Sequence, residues 1–188
     1  MPDSAMKPGT HLQKGLLAIL LLVALDQLSK WWVLNIFDLP SKGSVEILPF
    51  FNLSMVWNKG ISMGLPLGDA LGKWGIVILT TAISLWLLFW LRKSERTFEA
   101  ASLALILSGA IGNLIDRFVH GAVVDFIHLH AFDYNFYVFN VADSAITVGV
   151  VMLLIDGLRD SRKSLKKTSK EGHLDGDRPD TDLSGENK

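Results

Sequence analysis

Four long apolar blocks set the terms for this chain. They run from about Gly15 to Leu34, Leu71 to Leu91, Phe98 to Ile115 and Phe139 to Leu158. Each is long enough to cross about 30 Å of hydrocarbon at about 1.5 Å of rise per residue. Hydrocarbon offers an unpaired backbone group no partner, so such segments fold as helices. The predicted fold is a membrane all-α bundle of four transmembrane helices. Apolar residues make up 49% of the 188 positions and are bunched into the blocks, which sets a membrane bundle apart from a soluble domain. The first block opens like a signal-peptide core, but no small-x-small cleavage site follows it. Asp26, Lys30 and two tryptophans follow instead, so the block reads as a retained span.

Lys and Arg in the flanks orient the bundle. Lys7, Lys14, Arg92, Lys93, Arg96 and the run from Arg159 to Lys170 lie on one side; Lys42, Lys59 and Arg117 lie on the other. The richer side is cytoplasmic. Both termini are then expected in the cytoplasm, as a short leader over 1–14 and a polar, disordered tail over 159–188. The segments 35–70 and 116–138 face outward. Trp31, Trp32 and Trp74 fit an interfacial aromatic belt at the outer ends. Within 35–70, Phe51 to Asn58 alternates apolar and polar residues, a strand signal, and Asn58-Lys-Gly60 reads as a turn. A small extracytoplasmic β-rich segment is therefore expected between helices 1 and 2, lying on the membrane surface. Ile61 to Leu71, rich in Gly and Pro, is open to a short interfacial helix or a lid.

Ionisable groups beside hydrocarbon cost several kcal/mol and are functional candidates by default. Here they converge on the outer end of the bundle. Asp26 and Lys30 sit in the outer part of the first span, Asn113 at the outer end of the third, and Asn140 and Asp143 at the outer end of the fourth. Asp125 lies in the short connection between those two. Asp26 and Lys30 have the i,i+4 spacing of a helical ion pair, which also allows a purely structural role. Ser29 and Lys30 point to different helix faces and cannot act together as a nucleophile and base. In the third span Ala100, Ala104, Ser108 and Gly112 form a small-residue stripe suited to close helix approach. Gly109, Asn113, Asp116 and Arg117 line a neighbouring face, where Asp116 and Arg117 also suit an interfacial ion pair.

Two close carboxyls can hydrolyse an amide by sharing one proton. The ionised one takes a proton from water while the other donates to the carbonyl oxygen. Asp125 and Asp143 suit that chemistry, and Asn140, three residues before Asp143, shares its helix face. The same acids also suit a proton or cation pathway. His120, His128 and His130 near Asp125 and Asp133 make a weak metal signal, with no His-Glu-x-x-His motif, so no metal and no cofactor is expected. There is no cysteine, which removes thiolate ligands and a cysteine nucleophile. No basic stripe suggests nucleic acid.

Five stretches in order carry a resemblance: Asp26-Gln-Leu-Ser-Lys30, Asn58-Lys-Gly60, Gly109-Ala-Ile-Gly-Asn-Leu-Ile-Asp-Arg117, Val123-Val-Asp125-Phe and Phe139-Asn-Val-Ala-Asp-Ser144. Over about Gly15 to Gly157 the sequence resembles lipoprotein signal peptidase, the aspartyl protease of the bacterial inner membrane. The resemblance implies a peptidase domain over 15–158, with catalytic aspartates at Asp125 and Asp143. Its other motif positions fall on Asp26, Lys30, Asn58, Gly60, Asn113, Asp116, Arg117 and Asn140. Asn58 and Arg117 would hold the substrate backbone, and Asn113 and Asn140 would support the dyad. The implied substrate is a diacylglyceryl-modified prolipoprotein, cut before the lipidated cysteine near the periplasmic face. Globomycin-type inhibitors, membrane lipids as partners and a monomeric state belong to the same expectation. Two positions depart from the family pattern: Ile61-Ser-Met63 follows the Asn58 motif, and Tyr137-Val138 precedes Phe139.

Overall fold

A computed structural model of the chain describes residues 8–60, 67–131 and 134–175. Helix α1 (Pro8–Trp31) passes into a π-helical turn, Trp32–Ile36, closed by the Phe37 N–H on the Trp32 carbonyl at 2.9 Å. A short helix α2 (Leu39–Lys42) leads to strands β1 (Ser44–Leu48) and β2 (Phe51–Asn58). Helices α3 (Leu67–Lys93) and α4 (Thr97–Val119) follow, then strands β3 (Val123–Ala131) and β4 (Tyr134–Asn135), and finally α5 (Val141–Asp175). Chain contacts divide after Leu153. The core, the sheet and the candidate site all lie in the first unit, and the second is the continuation of α5 through Asp175. The expected tail from Arg159 thus begins as helix. The departure at 61–63 and most of the expected helix or lid at 61–71 lie outside the described residues.

Four helices are long and apolar enough to cross a membrane: Leu12–Ile36, Trp74–Lys93, Thr97–Val119 and Val141–Ser161. They match the four apolar blocks. Of α4's span 56% is buried, against 22–28% for the other three, which makes α4 the central helix. Its stripe works as the small residues suggest. Ala100 and Ala104 pack with Leu103 and Leu107 against Ile19 of α1 and Leu87 and Leu91 of α3. Glycines let α4 meet α5 even more closely. A Cβ on Gly109 would lie 2.2 Å from the Ala142 carbonyl oxygen, and one on Gly149 would lie 2.7 Å from the Ser102 carbonyl oxygen. Leu16, Leu17, Leu20, Leu21 and Leu28 of α1, and Ile78, Leu85 and Trp86 of α3, remain exposed, as lipid-facing side chains would.

Strand β2 falls on Phe51–Asn58, where alternation predicts it. The sheet corrects one expectation. It is antiparallel in the order β1-β2-β3-β4, so half of it comes from the connection between α4 and α5 rather than from the one between helices 1 and 2. The signal was present in Ile127-His-Leu-His130, which alternates like a strand although its histidines suggest a metal site. Across β2 and β3, Val56 pairs with Asp125 and Asn58 with Val123, after one extra β2 residue between Leu53 and Val56. Such a bulge twists a strand and re-aims its end. One side of the sheet closes over a second core, Val33, Leu39, Leu53, Val124 and Phe126.

Candidate active site

Three chain junctions bring the polar groups together. At the end of α4, Gly121 takes φ +77°, a left-handed turn that glycine adopts without strain, and its N–H returns to the Arg117 carbonyl at 3.2 Å. The chain then enters β3 with the Val124 N–H donated to Asp116 Oδ2 at 3.1 Å. Downstream, Phe139 is hooked to β3 by reciprocal backbone bonds with Ile127, at 2.8 and 3.0 Å. That hook sets Asn140 beside Asp125 at the mouth of α5. There Asn140 caps the helix, its Oδ1 accepting the Asp143 N–H at 2.9 Å.

Asp125 and Asp143 open into one cavity of about 990 Å³. Its walls include Val56 and Asn58 from β2, Lys59 just after it, Leu129 from β3, Phe136 to Phe139, and Ser144, Thr147 and Val148 from α5. The lining is mostly apolar with few polar groups, as in small-molecule and peptide sites. Asn58 Nδ2 donates to Asp125 Oδ2 at 3.0 Å, and Asn140 Nδ2 to Asp125 Oδ1 at 2.6 Å. Asn113 Nδ2 donates to Asp143 Oδ1 at 2.8 Å, while Asn113 Oδ1 accepts from Asn140 Nδ2 at 3.2 Å. Two asparagines thus link the two carboxyls. Burial first, and the charge of Asp143 second, push the Asp125 carboxyl up to about 7; the bonds from Asn58 and Asn140 and the charge of Lys30 pull the other way.

Beneath the carboxyls lies a closed ionic cluster. Lys30 Nζ stands 2.8 Å from Asp26 Oδ2 and 2.7 Å from Asp116 Oδ2, with all three side chains about 3% exposed or less. The i,i+4 pair of the sequence exists, but Asp116 joins it instead of pairing with Arg117. Asp26 Oδ1 also accepts the Ala142 N–H at 3.0 Å, so α1 satisfies a free amide at the start of α5. Gln27 Nε2 donates to both carboxylates, at 3.2 Å to Asp26 and 2.9 Å to Asp116. Gln27 is not among the candidate residues, and its signal in the sequence is a further polar side chain in an apolar span next to Asp26. Arg117 reaches the other way. Nη2 donates to the Gly60 carbonyl at 3.1 Å and Nη1 to the Asn113 carbonyl at 3.2 Å. Gly60 closes a turn on Asn58, its N–H donated to Asn58 Oδ1 at 3.0 Å.

The ten motif positions, nine polar residues and Gly60, therefore belong to one connected region. The histidines do not enter it. His128 and His130 lie within 3.3 and 3.2 Å of Ser54 Oγ and Asn52 Oδ1, and His120 packs on Trp57. Among the described residues no three His, Asp or Glu side chains are grouped to hold a metal ion.

Known proteins resemble this chain in sequence and fold. A family model described as signal peptidase (SPase) II matches residues 18–159. A protein of Methylorubrum extorquens (strain PA1), named lipoprotein signal peptidase, is 44% identical over 80% of this chain and 88% of its own length. A protein of the same name from Rhodopseudomonas palustris (strain ATCC BAA-98 / CGA009) is 44% identical over 79% of this chain and 94% of its own. A solved structure described as a bacterial membrane enzyme, determined in meso at 2.3 Å resolution, superposes with a TM-score of 0.70 at 31% identity, covering 79% of this chain and 90% of that one. With more than two thirds of its length matched in sequence and fold, this chain belongs to the signal peptidase II family.

Proposed function

We propose that the protein is an aspartyl endopeptidase of the bacterial inner membrane. It removes signal peptides from diacylglyceryl-modified prolipoproteins by cleaving before the lipidated cysteine. The observation that carries this reading is that Asp125 and Asp143, from different elements, face one cavity and are tied to each other through Asn140. Like charges so placed in a partly desolvated site retain one proton between them and titrate as a unit. The ionised carboxylate takes a proton from water as its oxygen adds to the scissile carbonyl. The protonated partner donates to the carbonyl oxygen, and collapse of the tetrahedral adduct returns a proton to the departing nitrogen. Asn58 and Asn140 hold Asp125, and Asn113 holds Asp143, so neither carboxyl must reorient during the reaction.

The excess of Lys and Arg near residues 92–96 and 159–170 supports a periplasmic location for the opposite end of the bundle, where the site lies. At that depth the apolar wall formed by Val148, Leu129 and Phe136 suits lipid chains, while the scissile bond sits at the polar carboxyls. Asn58 lines the cavity and is joined through Gly60 to Arg117, which supports a role for the two in holding the peptide backbone. Globomycin-type inhibitors would occupy the same cavity, and a monomer suffices for it.

The test is cleavage of a precursor with and without diacylglycerol by purified protein. Lipidated precursor should be cut before its cysteine, and Asp125→Asn and Asp143→Asn should each abolish the cut while preserving the fold. Equal turnover of both precursors, or activity in either variant, would contradict the reading.

A further inference from the structure

We propose that Lys30 is a positioning residue for this reaction: its ammonium fixes which way the Asn113 amide points, and so keeps the Asn113 N–H on Asp143. The inference rests on the aspartate-dyad reading and extends it to a residue that touches neither substrate nor carboxyl dyad.

An ammonium has three donors and no acceptor. In this structure each has a recipient: Asp26 Oδ2 at 2.8 Å, Asp116 Oδ2 at 2.7 Å and Asn113 Oδ1 at 3.3 Å. Neutralising a buried acid requires only the first two. The third reaches across to α4, to an amide whose two ends are nearly alike in shape but opposite in hydrogen bonding. With Oδ1 toward Lys30, Nδ2 faces Asp143 Oδ1 at 2.8 Å. Turned over, the amide would set its N–H against the ammonium and its oxygen against the carboxylate, and both contacts would be repulsive. Asn140 Nδ2, at 3.2 Å from the same Asn113 oxygen, favours the same orientation from the other side. Lys30 is itself buried, 3% exposed, between two carboxylates that accept hydrogen bonds from Gln27 and from the Ala142 and Val124 amides. Its effect is thus relayed: α1 sets an amide on α4, which sets a carboxyl on α5.

The test separates positioning from plain stability. Lys30→Met alone would strand two buried carboxylates, so it is made in an Asp26→Asn background, where only Asp116 remains and still receives Gln27 and the Val124 N–H. There the added loss of Lys30 leaves Asp116 without its cation and lowers Tm, and it should lower kcat about tenfold with KM changed by less than about twofold. In a background that also carries Asn113→Ala, the same Lys30→Met change should lower kcat by less than about twofold, because the relay is already cut. Equal losses with and without Asn113, or a kcat loss that follows Tm across the set, would overturn the proposal. Asp125→Asn and Asp143→Asn are assayed alongside. Activity in either overturns the dyad itself, whereas their inactivity with additive Lys30 and Asn113 effects overturns only the relay.

Discussion

Gly109→Ala asks how closely the last two spans must approach for the carboxyls to work. The added Cβ would lie 2.2 Å from the Ala142 carbonyl oxygen and 2.6 Å from Ile146 Cγ1. The first distance is about 1 Å inside ordinary contact, and the atom it meets is backbone, which cannot swing aside. Overpacking of this kind costs about 1–3 kcal/mol, against which a helical alanine regains at most about 1 kcal/mol. The relief available is for α5 to move away from α4 at its first turn. That turn carries Asn140 and Asp143, whose partners Asn113 and Asp125 stay behind. A misplacement of about 1 Å in a reacting constellation costs about a hundredfold in rate. Gly109→Ala should therefore lower kcat about a hundredfold while lowering the thermal midpoint in detergent by only a few degrees. Gly149→Ala makes a comparable contact, 2.7 Å to Ser102 O and Ile106 Cγ1, but nearly two turns further along α5 than Asp143. It should destabilise similarly and leave kcat much less affected. Gly157→Ala meets nothing within 4 Å and serves as the neutral control. The paired readout is thermal unfolding and initial cleavage rate on one preparation. Wild-type rate and midpoint in Gly109→Ala would refute the close α4–α5 contact and the reasoning built on it.

Four further outcomes are expected. Asp125, raised from 3.8 to about 7, binds its proton more tightly folded than unfolded; its contribution to stability is complete below about pH 4 and is lost as pH rises through about 7. Asp125→Asn should accordingly gain thermal stability relative to wild type between about pH 5 and 8, as melting curves across that range would report. For the same reason kcat/KM of the wild type should fall on the alkaline side with an apparent pKa near 7 belonging to the pair, measurable as a pH–rate profile. Asn140→Ala removes the donor to Asp125 and the cap on Asp143, so rate should drop by about two orders of magnitude with a destabilisation of about 1–3 kcal/mol, checked by turnover and by denaturation. Arg117→Lys keeps the charge but reaches only one of the two carbonyls now held, so KM for the peptide should rise more than kcat falls in steady-state kinetics.

The elements most legible in the sequence are those built from a period or a run. Four apolar runs map onto four long helices, and the alternation of Phe51 to Asn58 maps onto β2. Strand β3 was obscured because its first residues, Val123 to Phe126, are buried on both faces and show no alternation, and because its later polar positions are histidines that carry a second meaning. The polar residues of the site were visible one by one, since each is out of place beside hydrocarbon. Their partners were not. The link from Lys30 to Asp116 spans two helices, and the link from Asp26 to the Ala142 amide spans 116 residues; no local spacing encodes either. The i,i+4 rule supplies Asp26 to Lys30, whereas the interfacial Asp116–Arg117 pair that adjacency suggests is replaced by the ammonium of α1.

The bond from Asp26 to the Ala142 amide has a consequence for biosynthesis. The first span to leave the ribosome holds an acceptor whose donor belongs to the last, so three spans can enter the bilayer and still leave that acid waiting. Until α5 arrives, Asp26 and Asp116 share one ammonium, Asn113 has no carboxyl to hold, and Asp125 lacks the amide of Asn140. A nascent chain halted after α4 should thus be inserted yet easily degraded, and proteolytic resistance should come in one step with the final helix.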